Sequence, residues 1–530
     1  MLDLRHLRDA ARSEGGVSRR LFLSYASALA AVPLLGTRAE GRVFRRPAFD
    51  RDPFSLGVAS GDPEPTGVVL WTRLAPDPLT PDGGMPSDLI EVQWEVATDE
   101  AMQQVVQQGT TVATPQLAHS VHVEVNGLKP DRWYWYRFRA GDAESSIGRA
   151  RTMPALMDVP DRLRFAFASC QHYESGLYTA YEHMANDELD LVFHLGDYIY
   201  EGAGRDGQIR KHEGPELETL ADYRIRHAQY KTDPMLQAMH QACPWVVTWD
   251  DHEFDNNCAA DISEQPDVDP VDFLLRRANA YQAYYEMMPL RRRSLPHGPD
   301  MQLYRTITFG RLANFQVLDT RQYRTDQPND DRRSPLNEEA LDRRNSLLGD
   351  RQYGWLQASL LDSSSTWNVL AQQVMMGMVG FPTDDGQIVY SMDQWPGAAS
   401  ERMALMRFLQ DRKVPNPVVL TGDIHSNWAN DLRVDDREPD ASIVASEFVC
   451  TSISSGGNGR ATIPDLEKRL AMNPGVQFFN AQRGYVRCTV TPESWKSDYQ
   501  VVEDVTKPGA PAVTKGSFVI EAGRPGIEPA

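Results

Sequence analysis

Four segments of this chain carry metal-competent side chains directly after an apolar run. Ala166-Phe167-Ala168-Ser169 leads into Cys170, and His194-Leu195-Gly196 leads into Asp197, with Tyr200 three residues further on. Thr248-Trp249 leads into Asp250-Asp251-His252-Glu253 and then Asn256-Asn257. Val419-Leu420-Thr421-Gly422 leads into Asp423-Ile424-His425. Carboxylates and amide oxygens are hard ligands, imidazole is intermediate, and phenolate or thiolate suits a strongly Lewis-acidic ion. The donor set points to chemistry assisted by bound cations. No G-x-S-x-G nucleophile elbow occurs, and no P-loop or dinucleotide fingerprint.

Donors scattered over more than 250 positions (Cys170 to His425) need a scaffold that delivers them to one place. In α/β sheets, ligand sites lie beyond the carboxyl ends of the strands, so loops that follow buried strands can converge. Buried-type strands are predicted at Arg164–Ala168, Leu189–Leu195, Trp245–Trp249, Ala313–Leu318, Trp367–Leu370 and Pro417–Thr421, with helical segments between them. Earlier in the chain the texture differs. Val68–Thr72, Glu91–Val96, Val121–Val125 and Trp133–Arg139 alternate with period two between Gly, Pro and Asp turns, the pattern of a small β-sandwich. The boundary falls at Pro154–Pro160, and the Pro- and Gly-rich stretch after Lys507 reads as a tail, with disorder at its end.

The chain has 530 residues, 41% hydrophobic and 24% charged, the composition of a globular protein with a sizeable core. Net charge is −20, a poor electrostatic footprint for gripping nucleic acid. If the substrate is an anion, bound cations must supply the attraction. Five cysteines without a CxxC pair argue against a disulfide scaffold or a zinc ribbon. At the N-terminus, Ser18-Arg19-Arg20-Leu21-Phe22-Leu23 opens an apolar run to Leu35 that is too short for a stable membrane anchor. Thr37-Arg38-Ala39 offers a cut before Glu40. This stretch resembles a twin-arginine export signal, implying a periplasmic or extracellular protein.

Taken together, G-D-x-x-Y at Gly196–Tyr200, D-D-H-E at Asp250–Glu253 and G-D-x-H at Gly422–His425 resemble the calcineurin-like metallophosphoesterases, and most closely the PhoD alkaline phosphatase/phosphodiesterase family. Ala168–Gln171, Asp319-Thr320-Arg321, Gly57–Pro63 and Leu70–Arg73 add to that likeness, which covers nearly the whole chain after the signal. The resemblance implies an α/β fold: a metallophosphoesterase β-sandwich core flanked by helices, preceded by a small Ig/fibronectin-like β-sandwich domain. It divides the chain into a signal peptide at 1–39, a β-sandwich domain at 45–152, a phosphatase domain at 160–506 and a tail at 507–530.

By the same resemblance, Asp197 bridges two ions. Cys170, Tyr200 and His425 complete a site for Fe(III), while Asp423, Asp251 and Asn256 hold Ca(II). Asp423 stands where the wider superfamily has a histidine and Asp251 where it has an asparagine, both changes toward a harder ion. Asp250 and Asn257 remain alternatives to their neighbours as direct ligands. His252 contacts the phosphoryl oxygen or protonates the leaving group, Asp319 and Arg321 are candidates for phosphate or outer contacts, and His172 could approach substrate. The implied reaction is hydrolysis of a phosphoric ester by in-line attack of a metal-activated water. Monoesters and diesters both remain open, the diester reading extending to a phospholipase D-type activity on phospholipid or a teichoic-acid-like polymer. The implied partners are that phosphate ester and the twin-arginine export machinery, and the expected state is a monomer. A non-catalytic metal-binding envelope protein is the rival, and it predicts gaps in the motifs that this chain does not have.

Overall fold

The computed structural model describes the backbone strand Val43–Phe44 and residues 47–530. The predicted signal therefore lies outside the described residues. Among them, no helix is long and apolar enough to cross a membrane.

Two large sheets face each other. One has ten strands, with Leu163–Ala168, Leu191–Leu195 and Trp245–Thr248 lying parallel at its centre. The other has eight, with Ala313–Val317, Trp367–Ala371, Pro417–Thr421 and Ala445–Val449 parallel at its centre. Residue alternation explains why these strands read as continuous apolar runs. Leu163, Phe165, Phe167, Leu191, Phe193 and Val246 enter the core between the sheets, against Phe315, Val369, Val418 and Leu420. Ala166, Ala168, Val192, Trp245 and Val247 face the other way, into a second core formed with helices. A strand buried on both faces has no polar side to show. Thr179–Ala185, Leu220–Lys231, Pro234–Ala242 and Pro270–Met287 cover the ten-stranded sheet; Gly349–Asp362 and Ala399–Arg412 cover the other. The predicted β-sandwich core flanked by helices is the observed arrangement.

The N-terminal segment is also β-rich and encloses a core of its own. Its six-stranded sheet packs against strands Val58–Glu64, Gly67–Arg73 and Ser120–Asn126, which continue the ten-stranded sheet. A buried ion pair fastens the junction: Arg305 Nη2 meets Asp62 Oδ1 at 2.7 Å. The stretch predicted as a tail is likewise built in. Ala512–Glu521 and Arg524–Pro529 extend the same sheet at its far edge. Phe518, Ile520 and Ile527 drive this by entering the core between the sheets, a small apolar set that Pro and Gly content obscured.

Parallel strands end on the same side, so the loops after Ala168, Leu195, Thr248 and Thr421 meet along one rim of the sandwich. Two glycines let them close. A Cβ on Gly196, at φ +111°, would stand 2.4 Å from the Asp250 Cβ. A Cβ on Gly422 would stand 2.6 Å from Ser169 Oγ. Gln373 stitches the rim from the second sheet, donating to Thr248 Oγ1 at 2.8 Å and to the Trp249 carbonyl at 2.7 Å.

Candidate active site

Cys170, Asp197, Asp423 and His425 all adopt positive φ, between 52° and 66°, just past their strands. For residues with a Cβ such backbone costs on the order of 1 kcal/mol or more, and it persists where surrounding structure holds it. The holding contacts are visible. The Cys170 amide donates to the Gly196 carbonyl at 3.1 Å and the Gln171 amide to the Asp197 carbonyl at 3.0 Å. The turn aims each side chain back over the strand ends instead of along the chain.

The result is one continuous group of donors. Ligand atoms of Cys170, Asp197 and His425 lie within 4.8 Å of one another, as do those of Asp197, Asp251 and His252. Asp197 belongs to both. Its Oδ2 accepts from the Tyr200 hydroxyl at 2.8 Å, while its Oδ1 is buried without a hydrogen-bond partner. Tyr200 Oη also lies 3.2 Å from His425 Nε2 and accepts from Ser455 Oγ at 2.7 Å. Asp251 Oδ1 and Asp250 Oδ2 are buried without a hydrogen bond as well. Buried polar atoms are normally satisfied, so the oxygens of Asp197 and Asp251, which belong to these groups and accept no hydrogen bond, mark a place for cations, with Arg321 Nη2 standing 3.7 Å from Asp251 Oδ1. The donors fit: sulfur and imidazole join Asp197 in one group, with the Tyr200 phenol beside them, and a second carboxylate and an imidazole join it in the other.

Electrostatics agree. Burial first, and then Asp250, Asp393 and Asp251, push the Asp423 carboxyl well above its ordinary range. Burial together with Asp251, Asp250 and Glu253 does the same to Asp197, against an opposing pull from His252. Crowded acids of this kind ionise together only if positive charge joins them.

Asp423 is half-buried at the rim, and its carbonyl accepts from Cys170 Sγ at 3.5 Å. Asn256 stands further out, on the wall of the cleft, where its Nδ2 donates to Glu264 at 2.8 Å and its Oδ1 stays available. Asn257 instead faces Asp331 with its amide and caps Asp251 Oδ2 with its backbone N–H at 2.8 Å. Asp250 is held by Arg321, Nε to Oδ1 at 2.5 Å. Arg321 also clasps Asp393 with both terminal nitrogens, at 2.6 and 2.9 Å. It is 2% exposed, stands 3.7 Å from Asp251 Oδ1 and does not line the cleft. Asp319 caps its own turn, accepting from the Arg321 and Gln322 amides. His172 lines the cleft.

Two acids that the motifs contain, without a role assigned to them, organise the rim. Glu253, the last letter of D-D-H-E, accepts from the backbone amides of Asp197 at 3.0 Å, Tyr198 at 2.5 Å and Asp250 at 2.8 Å. It joins the two loops that carry the central carboxylates. Glu201, next to Tyr200, holds His252 Nδ1 at 2.7 Å and accepts from the Asn256 amide at 3.1 Å. Their position inside the motifs was the available signal. Ser455 and Asp393 stand in stretches with no comparable pattern.

The donors open on a cleft of about 880 Å³ lined by Tyr200, Glu201, His252, Asn256, His425 and Ser455 among others. Residues 165–499 match the PhoD-like phosphatase family, and residues 39–154 match the PhoD-like phosphatase N-terminal domain. The chain belongs to the PhoD-like phosphatase family. Alkaline phosphatase D of Bacillus subtilis is 51% identical over 518 residues, covering 96% of this chain and 88% of that protein. A solved structure of PhoD matches with TM-score 0.89 and 52% identity, covering 91% of this chain and 93% of its own. The chain is accordingly a metal-dependent phosphatase that acts on phosphate esters, and the cleft is its candidate active site.

Proposed function

We propose that this phosphatase is exported through the twin-arginine pathway and hydrolyses phosphate esters as a monomer, at a centre of Fe(III) and Ca(II) with Asp197 between the ions. The observation that carries this reading is the Asp197 carboxylate, shared by both donor clusters with one oxygen buried and free. Cys170, Tyr200 and His425 would hold Fe(III) with Asp197, as thiolate and phenolate donors favour. Asp251, Asp423 and the Asn256 carbonyl oxygen would hold Ca(II), as hard oxygens favour. When bound, the ions would neutralise the phosphate and lower the pKa of the attacking water.

The chain's own residues supply orientation and a proton. Glu201 accepts a hydrogen bond from Nδ1–H of His252, which orients the ring, so that the protonated imidazole presents its Nε2–H to the cleft. Burial disfavours the charged ring, but Glu201, Asp197 and Asp251 together push its pKa above the ordinary histidine value. Cations on Asp197 and Asp251 would cancel two of those contributions and leave Glu201 as the lasting partner. His252 is then placed to hydrogen-bond the phosphoryl group and hand its proton to the departing oxygen. The Tyr200 ring, 4.2 Å from the His252 ring, limits where that imidazole can lean.

Asp197→Asn should remove metal loading and activity together; a variant that keeps turnover would overturn the assignment. Metal analysis with a visible spectrum tests the ions. Tyrosinate or thiolate on Fe(III) absorbs there, and a colourless zinc protein would refute the iron. The breadth of the cleft also favours substrates larger than a simple monoester, including diesters of the phospholipid or teichoic-acid-like kind. Turnover of a matched monoester and diester pair separates the two.

A further inference from the structure

The cleft that receives phosphate contains, among the described residues, a single Lys or Arg side chain in its lining: Arg205. It stands outside both donor clusters. Glu174, fully buried, accepts from the Arg205 backbone amide at 2.8 Å, from Arg205 Nε at 3.2 Å and from the His212 amide at 3.0 Å. The Glu174 carbonyl also takes the Ile209 amide at 3.1 Å. One buried acid thus folds the loop around itself and fixes one edge of the guanidinium. Arg205 Nη2 lies 3.4 Å from His172 Nε2, and the His172 ring meets Tyr200 edge-on at 4.6 Å. The guanidinium therefore stands one imidazole width beyond Tyr200. Its Nη1 has no hydrogen-bond partner among the described residues, and the side chain remains 62% exposed.

The cluster His172, Glu174 and His212 also has the donor types of a metal site. Its atoms are already engaged, however: Glu174 by Arg205 and His212, His172 Nδ1 by Ser175 at 2.9 Å, and His212 Nε2 by Tyr230 at 2.9 Å. A guanidinium anchored in the same place takes the position a cation would need. The cluster is a mount for Arg205.

We infer that Arg205 forms a second-anion subsite: it binds a further phosphate group carried by the same substrate molecule as the phosphate being hydrolysed. The inference rests on the proposed reading of the cleft and narrows its substrate class. A guanidinium held at Nε by Glu174 and at Nη2 by His172, with Nη1 free in an open cleft, is a fixed charge-assisted donor for a phosphate oxygen. The carboxylates of the rim would hold ions that the reacting phosphate engages, leaving Arg205 as the fixed arginine charge in the cleft lining for a second anion.

The test compares kcat/KM of the metal-replete enzyme on propane-1,3-diol monophosphate and propane-1,3-diol bisphosphate. Wild type should prefer the bisphosphate by about tenfold, the lower end for a charge-assisted contact, because water competes at a side chain this exposed. Arg205→Gln should bring the ratio close to one. An unchanged ratio in the variant overturns the inference, and so does an equal loss on both substrates, which would put Arg205 on the reacting phosphate. A third substrate, with the second phosphate methylated, identifies the source. A retained preference indicates a phosphodiester chain and a lost one a terminal phosphate, and both outcomes uphold the subsite. Calorimetry with propane-1,3-bisphosphonate and propylphosphonate reads the same ratio without turnover. Failure of the phosphatase reading, seen as no hydrolysis, is thereby kept apart from failure of the subsite, seen as equal binding of the two phosphonates.

Discussion

Replacing Glu253 by Gln keeps its shape and removes one acceptor from the rim. The carboxylate accepts three backbone N–H groups, two on Oε2 (Asp197 and Asp250) and one on Oε1 (Tyr198). Burial, with Asp250 beside it, pushes the Glu253 pKa up to about 8. All three contacts come from donors, however, and a carboxylic O–H would face one of them, so the ionised form is the one the geometry fits. In the best orientation of the substituted side chain, its amide oxygen keeps the Asp197 and Asp250 bonds while its NH₂ group meets the Tyr198 N–H. One buried donor is then left bare, and two others exchange a charged acceptor for a neutral one. The bare donor costs about 1–3 kcal/mol and each exchange of a charged for a neutral acceptor about 1 kcal/mol, so at least about 3 kcal/mol is expected in total. Part of it falls on the relative placement of the Asp197 and Asp250 loops. If half of it reaches the ions, affinity drops about tenfold, in the range usual for residues that orient metal ligands. The assay is metal content after dialysis against graded chelator, with kcat measured alongside. A Glu253→Gln enzyme that holds its metals at wild-type chelator concentrations, with unchanged turnover, would refute the view that this acid holds the two loops together.

Two further expectations use other parts of the molecule. Glu201→Gln should lower kcat by about 10–100-fold on alkyl phosphates, whose leaving oxygen needs a proton, and much less on p-nitrophenyl phosphate; an equal loss on both would mean that Glu201 acts only on packing. Lys231 is buried between Trp71 and Tyr198, its Nζ 3.4 Å from His240 Nε2, and burial alone lowers its pKa to about 7. The unfolded chain holds that proton up to about pH 10.4, so between pH 7 and that value the unfolded state binds more protons and stability rises with pH. Lys231→Met should therefore raise Tm most at pH 6–7, with a gain that shrinks steadily toward pH 10; a gain independent of pH in a melting series would refute the buried charge.

Much of the site was legible before any fold. Cys170, Asp197, Asp251, His252, Asp423 and His425 each follow an apolar run, and the end of a parallel strand is where a sheet presents side chains to a ligand. Gly196 and Gly422 stand in the same motifs, and their reason, the approach of Asp250 and Ser169, is a three-dimensional version of the same spacing. The chemistry of the donors is local too, since ligand hardness belongs to the side chain and needs no neighbour to define it.

What the chain could not announce depends on contacts between distant segments. The oxygens of Asp197 and Asp251 that accept no hydrogen bond mark a cation site only because burial strips them of water and the fold brings the two carboxylates together. The work of Glu253 and Glu201 lies in the backbone amides they gather. The pairing of Arg321 with Asp250 and Asp393 joins positions about 70 residues apart on each side, and nothing in the local pattern separates it from a phosphate contact. The sharing of one sheet by the N-terminal strands, and the docking of Ala512–Glu521, were likewise decided in three dimensions. A strand's own residues state that it will pair, but its partner and register depend on which surfaces remain uncovered once the core has formed. Residue type and spacing thus determined which atoms could do chemistry here; burial and long-range hydrogen bonding decided which of them face one another.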